Sequence, residues 1–150
     1  MTDLRKATMD YLLWLGEQDI KFRVDNSDVY DDVAAHFLDG VGELELLSRD
    51  EVQAVRRFLW LYQYGCCAIS GKRIPEKDAV LEHCHRTGRC RSVASRSWNS
   101  AEGGYVTGLV RRVPPAQREA TLRLYRDKYG AGIGMLYPDK LTSSGRKKRG

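Results

Sequence analysis

The chain has 150 residues, 42% of them hydrophobic, enough to bury one core with a small appended subdomain. No apolar run approaches the roughly 18 residues a membrane helix needs, so no membrane-spanning helix is expected. The net charge of +5 is unevenly spread: residues 1–64 carry 7 basic and 13 acidic side chains, a net of −6, whereas residues 65–150 carry 18 basic and 7 acidic ones, a net of +11. A polyanion-binding surface is therefore expected on the second half.

In chain order, Leu4, Ala7, Tyr11, Leu12 and Leu15 form a helical stripe that Gly16 ends. This amphipathic, acid-bearing start does not read as a signal peptide. Ile20, Phe22 and Val24 alternate as a short extended piece before the Asp25-Asn26-Ser27 turn, and a second short helix is expected over residues 28–38, stopped by Gly40. His36 within it reads as an ordinary histidine. Ser48 and Glu51 make a capping box, which opens a helix to about Tyr64 that buries Val52, Val55, Leu59 and Tyr62. Its aromatic residues, Phe58, Trp60, Tyr62 and Tyr64, read as core packing rather than as a stacking surface for nucleotides.

The densest chemistry lies in residues 65–104. There the apolar run Ala79-Val80-Leu81 leads into Glu82-His83-Cys84-His85, an Arg-rich loop follows, and Trp98-Asn99-Ser100-Ala101-Glu102-Gly103 comes next. Two of the chain's three histidines sit here. A carboxylate and a carboxamide are hard oxygen ligands suited to Mg²⁺ or Mn²⁺, and an imidazole can take a proton from water near pH 7. Adjacent residues of a regular strand point to opposite faces, so Glu82 and His83 can serve one phosphate only if the strand ends, twists or bulges there.

Beyond that stretch, a helix is expected from Ser97 to about Val110. Pro114-Pro115 then opens a basic amphipathic helix to Tyr129, with apolar positions at 120, 122, 124, 125 and 129 and Gly130 as its C-cap. The tail ends Ser-Ser-Gly-Arg-Lys-Lys-Arg-Gly and reads as basic and disordered. The four cysteines, two of them adjacent, do not form an extracellular disulfide framework and point to a reducing cytoplasm.

Three motifs, Cys67-Ala-Ile-Ser70, Leu81-Glu-His-Cys-His85 and Ser95-Arg-Ser-Trp-Asn-Ser-Ala-Glu-Gly103, together resemble the bacteriophage recombination endonuclease VII family, HNH-type ββα-metal nucleases that resolve branched DNA. The resemblance covers about residues 58–125. It implies an α+β, mostly helical fold with a ββα-metal (HNH) finger embedded among α-helices. The implied organisation is an acidic, mainly helical extension over 1–47, the catalytic domain over 48–130 and the basic tail over 131–150. It also implies Glu82 and Asn99 as metal ligands for Mg²⁺ or Mn²⁺, and His83, His85 and Glu102 as catalytic residues with His83 the general base. Arg86, Arg89, Arg91, Arg96, Arg111 and Arg112 are expected to contact DNA. A homodimer is implied because two symmetric cuts need two sites, with the helices at 48–64 and 115–129 as candidate surfaces. If phage-encoded, the protein would work in the host bacterial cytoplasm.

The family's structural zinc uses two C-x-x-C pairs. Their positions here hold Cys67, Ser70, Ser95 and Trp98, so no zinc is expected there and Trp98 should plug the space beside Ile69 and Val93. Two alternatives stay open: an HNH nicking or double-strand endonuclease without junction preference, and a non-catalytic DNA-binding module.

Overall fold

The computed structural model describes residues 45–138 together with Asp10 and Trp14. Asp10 and Trp14, in the stretch read as the first helix, are helical; the rest of that helix, the extended piece, the helix at 28–38, His36 and residues 139–150 lie outside the described residues. The described chain is a small α+β fold. In order it comprises β1 (Glu45–Leu46), α1 (Arg49–Tyr62), β2 (Ala79–His83), β3 (Cys90–Ser95), α2 (Arg96–Glu102), α3 (Pro115–Tyr129) and β4 (Met135–Leu136), with 3₁₀ turns at Glu76–Asp78 and Gly108–Arg112. None of these helices is long and apolar enough to cross a membrane.

The capping box forms as read. The Ser48 amide donates to Glu51 Oε1 at 2.8 Å, and the Glu51 amide donates to Ser48 Oγ at 3.3 Å, which satisfies two otherwise orphaned donors at the start of α1. The helix buries Val52, Val55, Phe58 and Leu59, while Tyr62 is only half-buried. At its far end Gln63 pins the hairpin by its side chain. The carboxamide accepts from the Val93 amide and donates to the Val93 carbonyl, both at 3.0 Å, as a neighbouring strand would.

β2 and β3 pair antiparallel, and strand alternation splits their side chains between two cores. Ala79, Leu81, Cys90 and Val93 join the α1 residues, Leu47 and Met135 in one cluster. Ala94 joins Cys67, Ile69 and Tyr125 in the other, with Trp98, Leu122 and Tyr129 packed against it. Trp98 thus lies with Ile69 as expected, but Val93 belongs to the opposite cluster. A register shift falls between Glu82 and His83: Glu82 pairs with Ser92 and His83 with Cys90, which leaves Arg91 as the extra residue of a bulge. A bulge is therefore present but on the partner strand, and it does not turn the two side chains together: Glu82 faces the Tyr125 cluster, whereas His83 stacks on Tyr137, which packs against the α1 cluster.

Three expectations are corrected. The helix read from Ser97 to Val110 stops at Glu102, where Gly103-Gly104 turns the chain, Gly104 at φ +96°; the rest is loop and a 3₁₀ turn. In α3 only Tyr125 is fully buried and Leu124 is 70% exposed, so the helix contributes one deep anchor rather than a broad stripe. Residues 131–138 are not tail. Met135 is fully buried, β4 pairs parallel with β1, and the amides of Ile133 and Tyr137 donate to the carbonyls of Cys90 and Gly88, each at 2.8 Å. The folded unit therefore extends past both expected boundaries, 48 and 130.

Candidate functional site

A hairpin that runs without a linker into a helix fixes the site: β3 ends at Ser95, whose hydroxyl caps α2 by accepting from the Trp98 amide at 3.3 Å. Glu82 projects from β2 onto the Tyr125 side and is only 1% exposed. A carboxylate that deep needs partners, and it has them. Arg91 Nε donates to its Oε2 at 2.6 Å, Arg91 Nη2 donates to its Oε1, and the Tyr125 phenol donates to Oε2 at 2.6 Å. The Ser92 hydroxyl, 2.7 Å from the phenol oxygen, completes the chain as donor to it.

Arg91 is the hub. Besides gripping Glu82 at both oxygens, its Nη2 lies 3.2 Å from Glu102 Oε2 and 3.4 Å from the His83 carbonyl oxygen. Its guanidinium carbon stands 5.7 Å from the centroid of the Tyr125 ring, within cation–π range. One cation thus joins β2, β3 and α2. Burial disfavours the charge, but the hydrogen bonds and the negative charge of Glu82, with Glu102 behind them, outweigh it and hold the guanidinium firmly protonated. The bulge makes this possible by letting Cys90 face the α1 core while Arg91 and Ser92 both reach the Glu82 side.

The same charge reaches its neighbours. Burial, then the Glu82 carboxylate, raises the Tyr125 phenol and pushes the Cys90 thiol up to about 12, so both stay neutral at any physiological pH. Cys84 moves the other way, its thiol lowered chiefly by the Thr87 side-chain hydrogen bond against a burial penalty.

His83 is half-buried and its ring stacks on Tyr137, centroids 4.0 Å apart and planes 7° from parallel; the exposed His85 lies 4.9 Å from it. Asn99 is half-buried on α2, three residues before Glu102 and so on the same stretch of helix surface. Glu102 is also held by Arg126, whose Nε is 3.4 Å from Oε1. The structure therefore brings Glu82, Glu102 and the His83 backbone to one point, with the two imidazoles together at the hairpin end.

Of the arginines read as DNA contacts, Arg86, Arg96, Arg111 and Arg112 are exposed. Arg89 is half-buried and donates through Nε to the Ile133 carbonyl at 3.2 Å. Arg91 corrects the reading: it is 8% exposed and saturated by carboxylates, so it is an internal cation and not a phosphate contact. Sequence reasoning also missed Tyr125, taken for one more apolar position, and Tyr137, assigned to the tail. A signal for Arg91 existed: a carboxylate directly after Ala79-Val80-Leu81 in a strand is buried on pattern alone, and a cation on the paired strand is its natural partner.

The Cys67 sulfur accepts the backbone amides of Ser70 and Ser95 at 3.5 and 3.3 Å. Hydrogen bonds to one sulfur, with Trp98 packed on that cluster, join the segments there. Among the described residues no group of three or more His, Cys, Asp or Glu side chains is arranged to hold a metal ion. No protein-family model, curated protein or solved structure matches the chain.

Proposed function

We propose that this protein is a metal-dependent DNA endonuclease of the ββα type, similar to recombination endonuclease VII, that hydrolyses phosphodiester bonds in branched DNA. The observation that carries the reading is the convergence of Glu82 and Glu102, from a strand and a helix, on the Arg91 guanidinium beside the His83 carbonyl. Two carboxylates brought together by a hairpin that runs into a helix, the order of the resembled family, are the kind of oxygen pair a divalent cation takes.

Glu82, Glu102 and the Asn99 carboxamide are all hard oxygen donors, so they fit Mg²⁺ or Mn²⁺ in kind and would hold it. When bound, such an ion supplies charge stabilisation for the phosphate and the leaving 3′ oxygen. Arg91 at present takes both carboxylates, so ion binding competes with the guanidinium for them. The His83 imidazole accepts a proton from the attacking water, and stacking on Tyr137 fixes its ring plane. His85, exposed beside it, orients the phosphate or assists the base. Arg86, Arg96, Arg111 and Arg112 supply exposed positive charge for the DNA backbone. Paired symmetric cuts require a homodimer, for which the outer face of α3 with its exposed Leu124 is a candidate surface.

One observation favours a second reading, a DNA-binding module without catalysis: both Glu82 oxygens are engaged and the side chain is sealed from solvent. Labelled four-way junction and linear duplex, incubated with the protein and Mg²⁺, Mn²⁺ or a chelator, separate the possibilities. The proposal expects ion-dependent cutting of the junction in preference to the duplex. Equal cutting of both would remove the junction preference, and salt-sensitive binding with intact DNA under every condition would favour the non-catalytic module.

A further inference from the structure

Where β3 runs into α2, between Ser95, Ser97, Trp98, the 3₁₀ turn and α3, lies a groove of about 320 Å³ that the nuclease reading leaves unused. Its apolar walls include Trp98, Leu109 and Val113, and Lys72 and Arg73 stand on its rim. Gln117 and Thr121 of α3 and three serines add hydrogen-bonding groups; no Asp or Glu lines it. The 3₁₀ turn that carries Leu109 is clamped against α2: Gly108 has φ +56°, and a Cβ there would collide with Ser97 Oγ. Leu109 is nonetheless 74% exposed, an apolar side chain held out to solvent by a rigid turn that continues into Arg111 and Arg112.

We propose that this groove binds one unpaired nucleotide of the DNA substrate, its base against Trp98 and Leu109 and its phosphate on Lys72 and Arg73. The proposal rests on the reading that DNA is the substrate, and it names the feature of branched DNA that is recognised. The occupant follows from the lining. An indole and a leucine offer a stacking surface that any base fits, paired with cations for the adjoining phosphate, the combination by which single-stranded nucleic acid is held. An acidic peptide would satisfy the cations but has no planar group for the indole. A fully paired duplex cannot deliver a base into a groove, because its bases are stacked inside. Trp98 also stands four residues before Glu102 on α2, so an occupied groove would fix the strand relative to the carboxylates.

The test uses the full chain in a chelating buffer, so that binding is read without cleavage. Two DNAs are compared by anisotropy: a duplex with a single unpaired 2-aminopurine, and the same duplex fully paired. The expected result is about tenfold tighter binding of the first, with quenching of the 2-aminopurine emission on stacking. Leu109→Glu, at an exposed position, should abolish both the preference and the quenching while duplex binding persists. Lys72→Glu with Arg73→Glu should do the same and lower the salt dependence of binding. Equal affinities for the two DNAs, unchanged emission, or a preference that survives both variants would overturn the proposal. Its failure is distinct from that of the nuclease reading: a protein that prefers the unpaired base yet never cuts sinks only the latter, and one that cuts with no such preference sinks only the groove.

Discussion

Arg91 and Glu82 lie nine residues apart on paired strands and meet as a two-pronged ion pair, both nearly sealed from solvent, with Glu102 on the guanidinium's other side. The bulge places them there, since a regular register would send Arg91 to the α1 core beside Val93. A buried ion pair contributes little net stability against an apolar substitute, but half of one is costly. Glu82→Leu should therefore destabilise the fold by about 3–5 kcal/mol, read by chemical denaturation. Adding Arg91→Met should recover most of that loss while leaving the protein inactive. A single Glu82→Leu variant as stable as the parent would show that the pair does not organise the hairpin.

Tyr125 gives the same cluster a pH signature. Burial and the Glu82 charge raise its phenol pKa above the free value of about 10, so the folded chain keeps a proton that the unfolded chain loses at high pH. Fewer protons are then bound in the unfolded state, and stability falls as pH rises, by up to about 1.4 kcal/mol per pH unit above pH 10, while the contribution is complete below that. Tyr125→Phe should flatten this alkaline decline relative to the parent. It should also cost about 1.5–3 kcal/mol at neutral pH, because the hydrogen bond to Glu82 is charge-assisted. Parallel stability-versus-pH curves for the two proteins between pH 7 and 11 would contradict the assignment.

Trp98 packs against the cluster of Cys67, Ile69, Ala94 and Tyr125. Trp98→Ala should destabilise the unit by about 3 kcal/mol, the low end of the range for truncating an aromatic, because the indole is half-buried. Trp98→Phe should retain most of the stability, and added Zn²⁺ should not rescue the alanine variant, since one thiol with two hydroxyls is a poor zinc set. Thermal denaturation with and without Zn²⁺ checks both statements.

Much of this was legible from residues 48–104. The capping box at Ser48 and Glu51 fixed where α1 starts because its two hydrogen bonds are local. A strand irregularity at Glu82-His83 was expected only on the condition that both side chains serve one phosphate, and the bulge that forms there belongs to the partner strand. What was not legible depended on distant parts of the chain. Tyr125 lies 43 residues from Glu82, and nothing in the α3 pattern distinguishes a phenol that anchors a carboxylate from one more apolar position. Tyr137 and Met135 were read as tail because β4 is two residues long and its ladder partner β1 is equally short, below any periodicity a sequence can display. Arg91 was assigned to the DNA surface on charge alone, when its burial follows from the bulge.

The nuclease reading is tested most directly by separating binding from cutting in variants of the site. With four-way junction DNA and Mg²⁺ or Mn²⁺, His83→Ala and Asn99→Ala should each lower the cleavage rate by at least about a hundredfold, the scale expected for losing a general base, while junction affinity measured in chelator stays within about twofold of the parent. Parent-like cutting by both variants would contradict it.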